Sequence, residues 1–246
     1  MKYTQLPNAY INVKEHEISS SDTIENDLTT SMAIASRQSS TEKEARRIMQ
    51  LHLLAKHPFL IQNEIFNLAD ISSGSKKSKL KKYLINRGWY KEHTLQHSRK
   101  KIIILEPLPK AYRECDVQKS KSFSKGGYLH EFCRQRVIEY FEELGFKAKN
   151  EYFLSNNKAV DILLTKEDET VFIEIGISSS KQELGNAIKN LSTSLIPTRL
   201  LMLCKDSKMK KKLESLIKAE EILEEFKKII SVELVGNYIK LYKSRG

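Results

Sequence analysis

Apolar and polar positions follow two different periods along this chain, and the places where the period changes divide it into elements. Ile48, Leu51, His52 and Ala55 fall on one face of a helix that starts at Thr41, where Thr41 and Glu44 form a capping box, and that ends near His57-Pro58. Ile61, Ile65 and Leu68 predict a second short helix from Gln62, and the turn Asp70 to Gly74 feeds a third, Ser75 to Arg87, with Leu80, Tyr83 and Leu84 facing inward. After Gly88 the order is Trp89-Tyr90, a polar tip from His93 to Lys101, and an apolar strand, Ile102 to Leu105. Helical spacing returns in Tyr128 to Leu144, through Leu129, Phe132, Cys133, Val137, Tyr140 and Phe141, and Gly145 supplies the stop. The rest of the chain predicts a sheet. A strand at Tyr152 to Leu154 precedes two apolar runs, Val160 to Leu164 and Val171 to Ile177, which flank a polar turn and read as an antiparallel hairpin. Ser178-Ser179-Ser180 caps a helix to about Ser192, with Leu184, Ile188, Leu191 and Leu195 buried and with Glu183, Asn186 and Asn190 on the opposite side. Arg199 to Cys204 suits a strand buried on both faces, Lys208 to Lys228 is helical with a break near Ala219, and Val232 to Val235 extends the sheet.

These elements predict an α/β protein with an N-terminal winged helix-turn-helix, residues 42–110, and a C-terminal mixed-sheet domain, residues 126–246. Residues 111–125, polar and rich in Lys and Ser, read as the linker, and residues 1–41, with their Ser and Thr cluster, as a flexible extension. With 246 residues, 40% hydrophobic and 30% charged, the chain suits two small domains better than one large core. No apolar run approaches the ~20 residues that cross a bilayer, and MKYTQLPNAY lacks the apolar core of a secretion signal, so a cytoplasmic location is expected. Cys115, Cys133 and Cys204 are odd in number and widely spaced, which argues against a disulfide framework or a zinc module. His52, with no His or Cys at ligand spacing, reads as a core residue.

Charge narrows the partners. The net charge of +11, from 42 Lys and Arg against 31 Asp and Glu, favours a polyanion, and no amphipathic basic helix with aromatic anchors points to a membrane instead. Lys76, Lys77, Lys79, Lys81 and Lys82 cover the outer face of the third helix, and Arg99, Lys100 and Lys101 sit in the tip. In a winged helix these two places meet double-stranded DNA, and lysines without Arg, Asn or Gln imply phosphate contact more than base readout.

The chemistry centres on the hairpin, where each strand places one acid, Asp161 or Glu174, among apolar neighbours. Burying two acids is costly unless a cation or basic groups lie nearby, so the pair marks a candidate site. Glu131, near the start of the long helix, reads from the residues alone as an acid complementing the helix dipole.

Val160-Asp161, Glu174-Ile175-Gly176, the helix opening at Gly126-Gly127-Tyr128-Leu129-His130-Glu131 and the segment Ser178 to Leu191 together resemble the PD-(D/E)-x-K, or restriction-endonuclease-like, nuclease superfamily. The resemblance spans roughly residues 43 to 235. It implies Mg²⁺ or Mn²⁺ held by Asp161, Glu174 and the main chain of Ile175, with Glu131 as a further acid, and hydrolysis of phosphodiester bonds. Gly176 stands where the family has its lysine; in some members that lysine migrates, which makes Lys189 and Lys181 the candidates here. The subgroup it resembles occurs on mobile elements, with a winged helix before the nuclease-like domain and a FtsK-like or HerA-like ATPase encoded beside it. Three functions therefore follow: a metal-dependent endonuclease, a nuclease-derived DNA-binding protein without turnover, or a winged-helix adaptor that recruits an ATPase or recombinase.

Overall fold

The structure is a computed structural model that describes residues 40–118, 126–155, 157–177, 180–191, 197–219 and 224–241. The expected extension, except for residues 40 and 41, and the Lys- and Ser-rich end of the expected linker lie outside these residues. Met1–Lys43 and Glu44–Gly246 form two compact units, and the elements below belong to the second except where α1 begins.

Three helices come first: α1 (residues 40–53), α2 (Gln62–Leu68) and α3 (Gly74–Asn86). Ala45, Ile48, Met49, Ile65, Phe66, Leu80 and Leu84 are buried in one cluster, which is where the three- and four-residue spacing placed its apolar stripes. His52 lies in that core: its ring nitrogens contact the Tyr90 hydroxyl at 3.0 Å and the Pro58 carbonyl at 3.3 Å. An antiparallel hairpin follows, β1 (Tyr90–His97) and β2 (Lys100–Pro107), closed by Ser98 and Arg99 with Ser98 at φ 51°. The expected polar tip from His93 to Lys101 is thus mostly strand. Its residues are polar except Leu95, the one fully buried side chain among them, and they are strand because β1 and β2 pair along their length. A short helix, α4 (Pro109–Glu114), occupies the start of the expected linker, with Pro109 in its first turn, where a missing N–H costs nothing.

The second half is a mixed α/β layer structure. Its sheet runs β3 (Lys147–Phe153), β4 (Ala159–Lys166), β5 (Glu169–Gly176), β6 (Arg199–Cys204), β7 (Ile230–Leu234), in that spatial order. The first three strands are antiparallel neighbours, while β5, β6 and β7 are parallel, joined by α6 (Ser180–Leu191) and by α7 (Ser207–Ala219) with α8 (Glu224–Ile229). Helix α5 (Gly127–Glu143) packs on one face through Phe132, Cys133, Val137 and Phe141; α6 and α7 cover the other through Leu184, Ala187, Leu191, Met209 and Leu213. Each large apolar side chain so buried contributes about 1.5–3 kcal/mol. Strand β3 is longer than the expected Tyr152 to Leu154, because its first residues, Lys147 to Asn150, carry no strand signature and owe their conformation to pairing with β4. As an edge strand it tolerates such lysines. A 3-10 turn, Val235–Tyr238, follows β7. No described helix is long and apolar enough to cross a membrane.

The hairpin joins the two cores. Tyr90 and Leu105 at its base pack with α1 to α3, whereas Leu95, Ile102 and Ile104 pack with α5 and the sheet. Hydrogen bonds anchor its far end: Gln96 N–H donates to the Lys205 carbonyl (2.9 Å), Ser207 N–H to Gln96 Oε1 (2.9 Å), and Ser98 N–H to Asn237 Oδ1 (3.1 Å). His97 Nδ1 also meets the Gly236 carbonyl at 2.6 Å. A Cβ on Gly236 would lie 2.2 Å from the Gln96 carbonyl oxygen, so only glycine admits this approach of backbone to backbone. A buried ion pair ties the halves again, with Arg136 of α5 donating to Glu64 of α2 at 2.8 Å and to the carbonyls of Phe59 and Lys240.

Two outcomes test this packing. Arg136→Leu leaves Glu64 buried without its cation and should lower unfolding free energy by about 3–5 kcal/mol, with Arg136→Leu/Glu64→Leu recovering a substantial part, measured by urea denaturation. Burial depresses the His52 pKa from 6.5 to about 4, although the Pro58 hydrogen bond opposes the shift. Between those values the unfolded chain binds a proton that the folded chain refuses, so the His52 contribution is present above pH 6.5 and is lost as pH falls toward 4. The difference in stability between the native protein and His52→Gln, followed from pH 7 to 5, should therefore shift steadily against the native protein.

Candidate active site

The site is built where two strands part. The β4–β5 ladder runs from Lys166–Glu169 to Ile162–Ile173 and ends there. One step further, the same register sets Asp161 opposite Glu174 on one face of the sheet. Instead of another ladder bond, Asp161 Oδ2 accepts the Ile175 N–H at 2.7 Å. The carboxylate thus holds both strands at the point where they diverge.

Three helices supply the rest. From α5, His130 Nε2 approaches Asp161 Oδ2 at 3.2 Å. From α6, Asn190, only 1% exposed, donates from Nδ2 to Glu174 Oε1 at 2.5 Å and to the Ala159 carbonyl at 3.4 Å, while its Oδ1 is buried with no hydrogen-bond partner among the described residues. Glu183, also on α6, is half-buried, and Met209 of α7 sits beside it: a Cβ on Gly176 would lie 2.9 Å from Met209 Cε and 3.1 Å from Glu183 Cγ. The place where the resemblance requires a lysine is therefore covered by a methionine methyl and a glutamate stem.

Electrostatics mark this cluster as unusual. Burial pushes the Glu174 carboxyl well above the ordinary carboxylate range, the Asp161 and Glu183 charges add to the rise, and the Asn190 hydrogen bond only partly offsets them. Glu183 is raised to about 7, by burial first and then by Asp161, with His130 opposing. Burial disfavours the His130 imidazolium, yet its hydrogen bond to Asp161 and the charges of Asp161 and Glu183 outweigh that, and its pKa rises.

The expected site residues divide in this arrangement. Asp161, Glu174 and Ile175 come together. Glu131 turns toward Arg134 and Gln135, and Arg134 in turn binds Glu151; the preceding residue, His130, is the one that meets the site, since successive helical residues point about 100° apart. Lys189 is exposed on α6, and its neighbour Asn190 enters the site. Asn190 was expected on the polar side of α6; it is buried there because that side packs against the opened edge of β4 and β5, where Ala159 and Glu174 need a donor. On α3, Lys76 pairs with Glu44 at 2.7 Å and Lys81 with Glu92 at 2.9 Å, Lys77 is half-buried, and Lys79 and Lys82 are exposed. Arg99, Lys100 and Lys101 are exposed at the hairpin end. From Glu92 to that end the strand extends about 20 Å, so the two basic patches lie well apart.

The chain matches no protein-family model and no curated protein sequence.

Among the described residues, no three His, Cys, Asp or Glu side chains are arranged to hold a metal ion by themselves. The donor set nevertheless suits a hard divalent cation. Asp161 and Glu174 supply carboxylate oxygens, and the orphaned Asn190 Oδ1 beside Glu174 is a neutral oxygen of the kind that Mg²⁺ accepts. The identities of His130, Glu183 and Asn190 as site residues were not evident from spacing. For Asn190 and Glu183, a signal was present in their i, i+7 relation on α6, which puts both on one stripe.

An arrangement selected for chemistry rather than stability has a recognisable signature. Glu174→Gln removes a buried charge and its repulsion from Asp161, and should leave the protein at least as stable at pH 8. Asn190→Ala should instead cost about 1–3 kcal/mol, because it strips Glu174 of its donor. Denaturation curves of both variants decide this, and a destabilised Glu174→Gln protein contradicts it.

Proposed function

We propose that this protein binds double-stranded DNA and hydrolyses its phosphodiester bonds with Mg²⁺ or Mn²⁺ held at Asp161 and Glu174. The observation that carries the reading is the pair of carboxylates set opposite each other where the β4–β5 ladder opens, with the Asn190 oxygen, unpartnered among the described residues, beside Glu174. The order and pairing of α5, β3, β4, β5, α6 and β6 support a restriction-endonuclease-like domain. Three helices followed by a hairpin support a winged helix-turn-helix before it. Such a protein belongs in a cytoplasmic DNA-processing or mobile-element setting.

The residues have separable tasks. Ile175 N–H and His130 orient Asp161, and Asn190 orients Glu174, so both carboxylates are held before a ligand arrives. A bound cation supplies polarisation of the scissile phosphate and acidifies an attacking water. Pre-positioned oxygens keep the cation from requiring reorganisation at that step.

Two observations favour a second reading. Met209 and Glu183 cover the lysine position at Gly176, and Lys189 is exposed on α6. Both suit a nuclease-derived DNA-binding adaptor that recruits a FtsK-like or HerA-like ATPase or a recombinase without turning over. A titration of Mg²⁺ and Mn²⁺ against supercoiled, linear and branched DNA separates the two. Cleavage that requires metal and disappears in Asp161→Ala is the expected result; salt-sensitive binding with no cleavage by the native protein on any substrate would establish the adaptor.

A further inference from the structure

The basic side chains do not share their surroundings. On α3, two of the five lysines are neutralised by Glu44 and Glu92. At the hairpin end, Arg99, Lys100 and Lys101 are exposed, and none is in an ion pair among the described residues. Two further lysines are brought to them by the fold. The Gln96 N–H donates to the Lys205 carbonyl, and the Gln96 side chain accepts the Ser207 N–H, so the β6–α7 junction with Lys205 and Lys208 lies against the hairpin end. Lys101 is opposite Gln96 in the β1–β2 register, which puts it on the hairpin face that meets this junction.

That junction adjoins the candidate active site. Cys204, the last residue of β6, pairs with Gly176, two residues beyond Glu174. Lys205 is next in the chain, which places its backbone about 10 Å from that of Glu174. Lys208 precedes Met209, whose side chain covers Gly176.

We propose that Arg99, Lys101, Lys205 and Lys208 form one phosphate-binding track, which holds a DNA backbone at a fixed distance from Asp161 and Glu174. The proposal rests on the reading of that site as one acting on DNA, and it names the surface that delivers the substrate. Like charges gathered from segments about a hundred residues apart repel one another, and the fold holds them together with hydrogen bonds while placing no acid among the described residues in an ion pair with them. A polyanion relieves that repulsion by releasing counterions. A membrane surface fits less well, since the exposed large apolar residues, Leu54, Leu68, Leu144, Phe153 and Leu241, belong to other parts of the chain. Because the hairpin end is bonded to the junction and to Gly236 and Asn237, phosphates on the track keep their spacing from the carboxylates, and a cut falls at a constant offset from the bound phosphates.

The test is duplex binding by fluorescence anisotropy in EDTA, over a series of salt concentrations, with the full chain. Lys101→Glu/Lys208→Glu should weaken binding at least about tenfold and reduce the slope of log K against log salt by about two, with Lys101→Gln/Lys208→Gln intermediate. Lys79→Glu/Lys82→Glu serves as the comparison on α3, and thermal melting confirms that every variant is folded. Unchanged affinity and slope in the Lys101/Lys208 variants overturn the track, as does loss confined to the α3 variant. Binding of the native protein to phosphatidylserine vesicles but not to DNA overturns both the track and the DNA reading. Since metal is absent throughout, a failure of hydrolysis leaves these outcomes untouched.

Discussion

Arg136 and Glu64 meet in the interior, away from water, and the docking of the three-helix half on the sheet half depends on that meeting. A guanidinium 1% exposed is tolerated only when its donors are engaged, and here they reach a carboxylate on α2 and carbonyls from two further segments. Glu64 is committed on its other side to the Ile61 N–H at the start of α2. The pair thus fixes the second helix of the three-helix half to the helix that packs on the sheet. Such a pair is weak evidence for stability, since an apolar substitute packs as well, but it is specific about geometry: only one docking satisfies both charges.

That geometry matters because the hairpin runs from one core to the other. Tyr90 and Leu105 belong to the first and Leu95, Ile102 and Ile104 to the second, so its end cannot swing as a free wing would. A basic hairpin end that is rigid relative to two carboxylates differs from the same residues on a tether. The first constrains where a phosphate backbone lies with respect to the site; the second only raises local concentration.

The carboxylate site shows the opposite economy, giving up stability for arrangement. Asp161 replaces a ladder carbonyl with its own side chain, Glu174 is buried beside another acid, and the buried Asn190 oxygen has no partner among the described residues. Each departs from what a core optimised for folding would contain, and all three fall within one opened strand pair. Local rules broken together in one place are the pattern of a functional site.

The sequence by itself determined the element order apart from α4, the apolar stripes of α1, α3, α5 and α6, the buried strand Arg199–Cys204 and the two acids on neighbouring strands, because each rests on periodicity or on the cost of burying a charge. Residues that look alike in sequence were separated only by the tertiary structure. Glu131 and His130 are adjacent on one helix, as are Lys189 and Asn190 on another, and a rotation of about 100° decides which of each pair enters the site. The polar start of β3 and the strands inside the expected tip were likewise illegible, because their conformation comes from cross-strand partners rather than from their own residues. The union of the hairpin end with the β6–α7 junction was least legible of all. Gln96 and Ser207 carry no signal of each other; they are joined because two cores, packed independently, leave their backbones side by side.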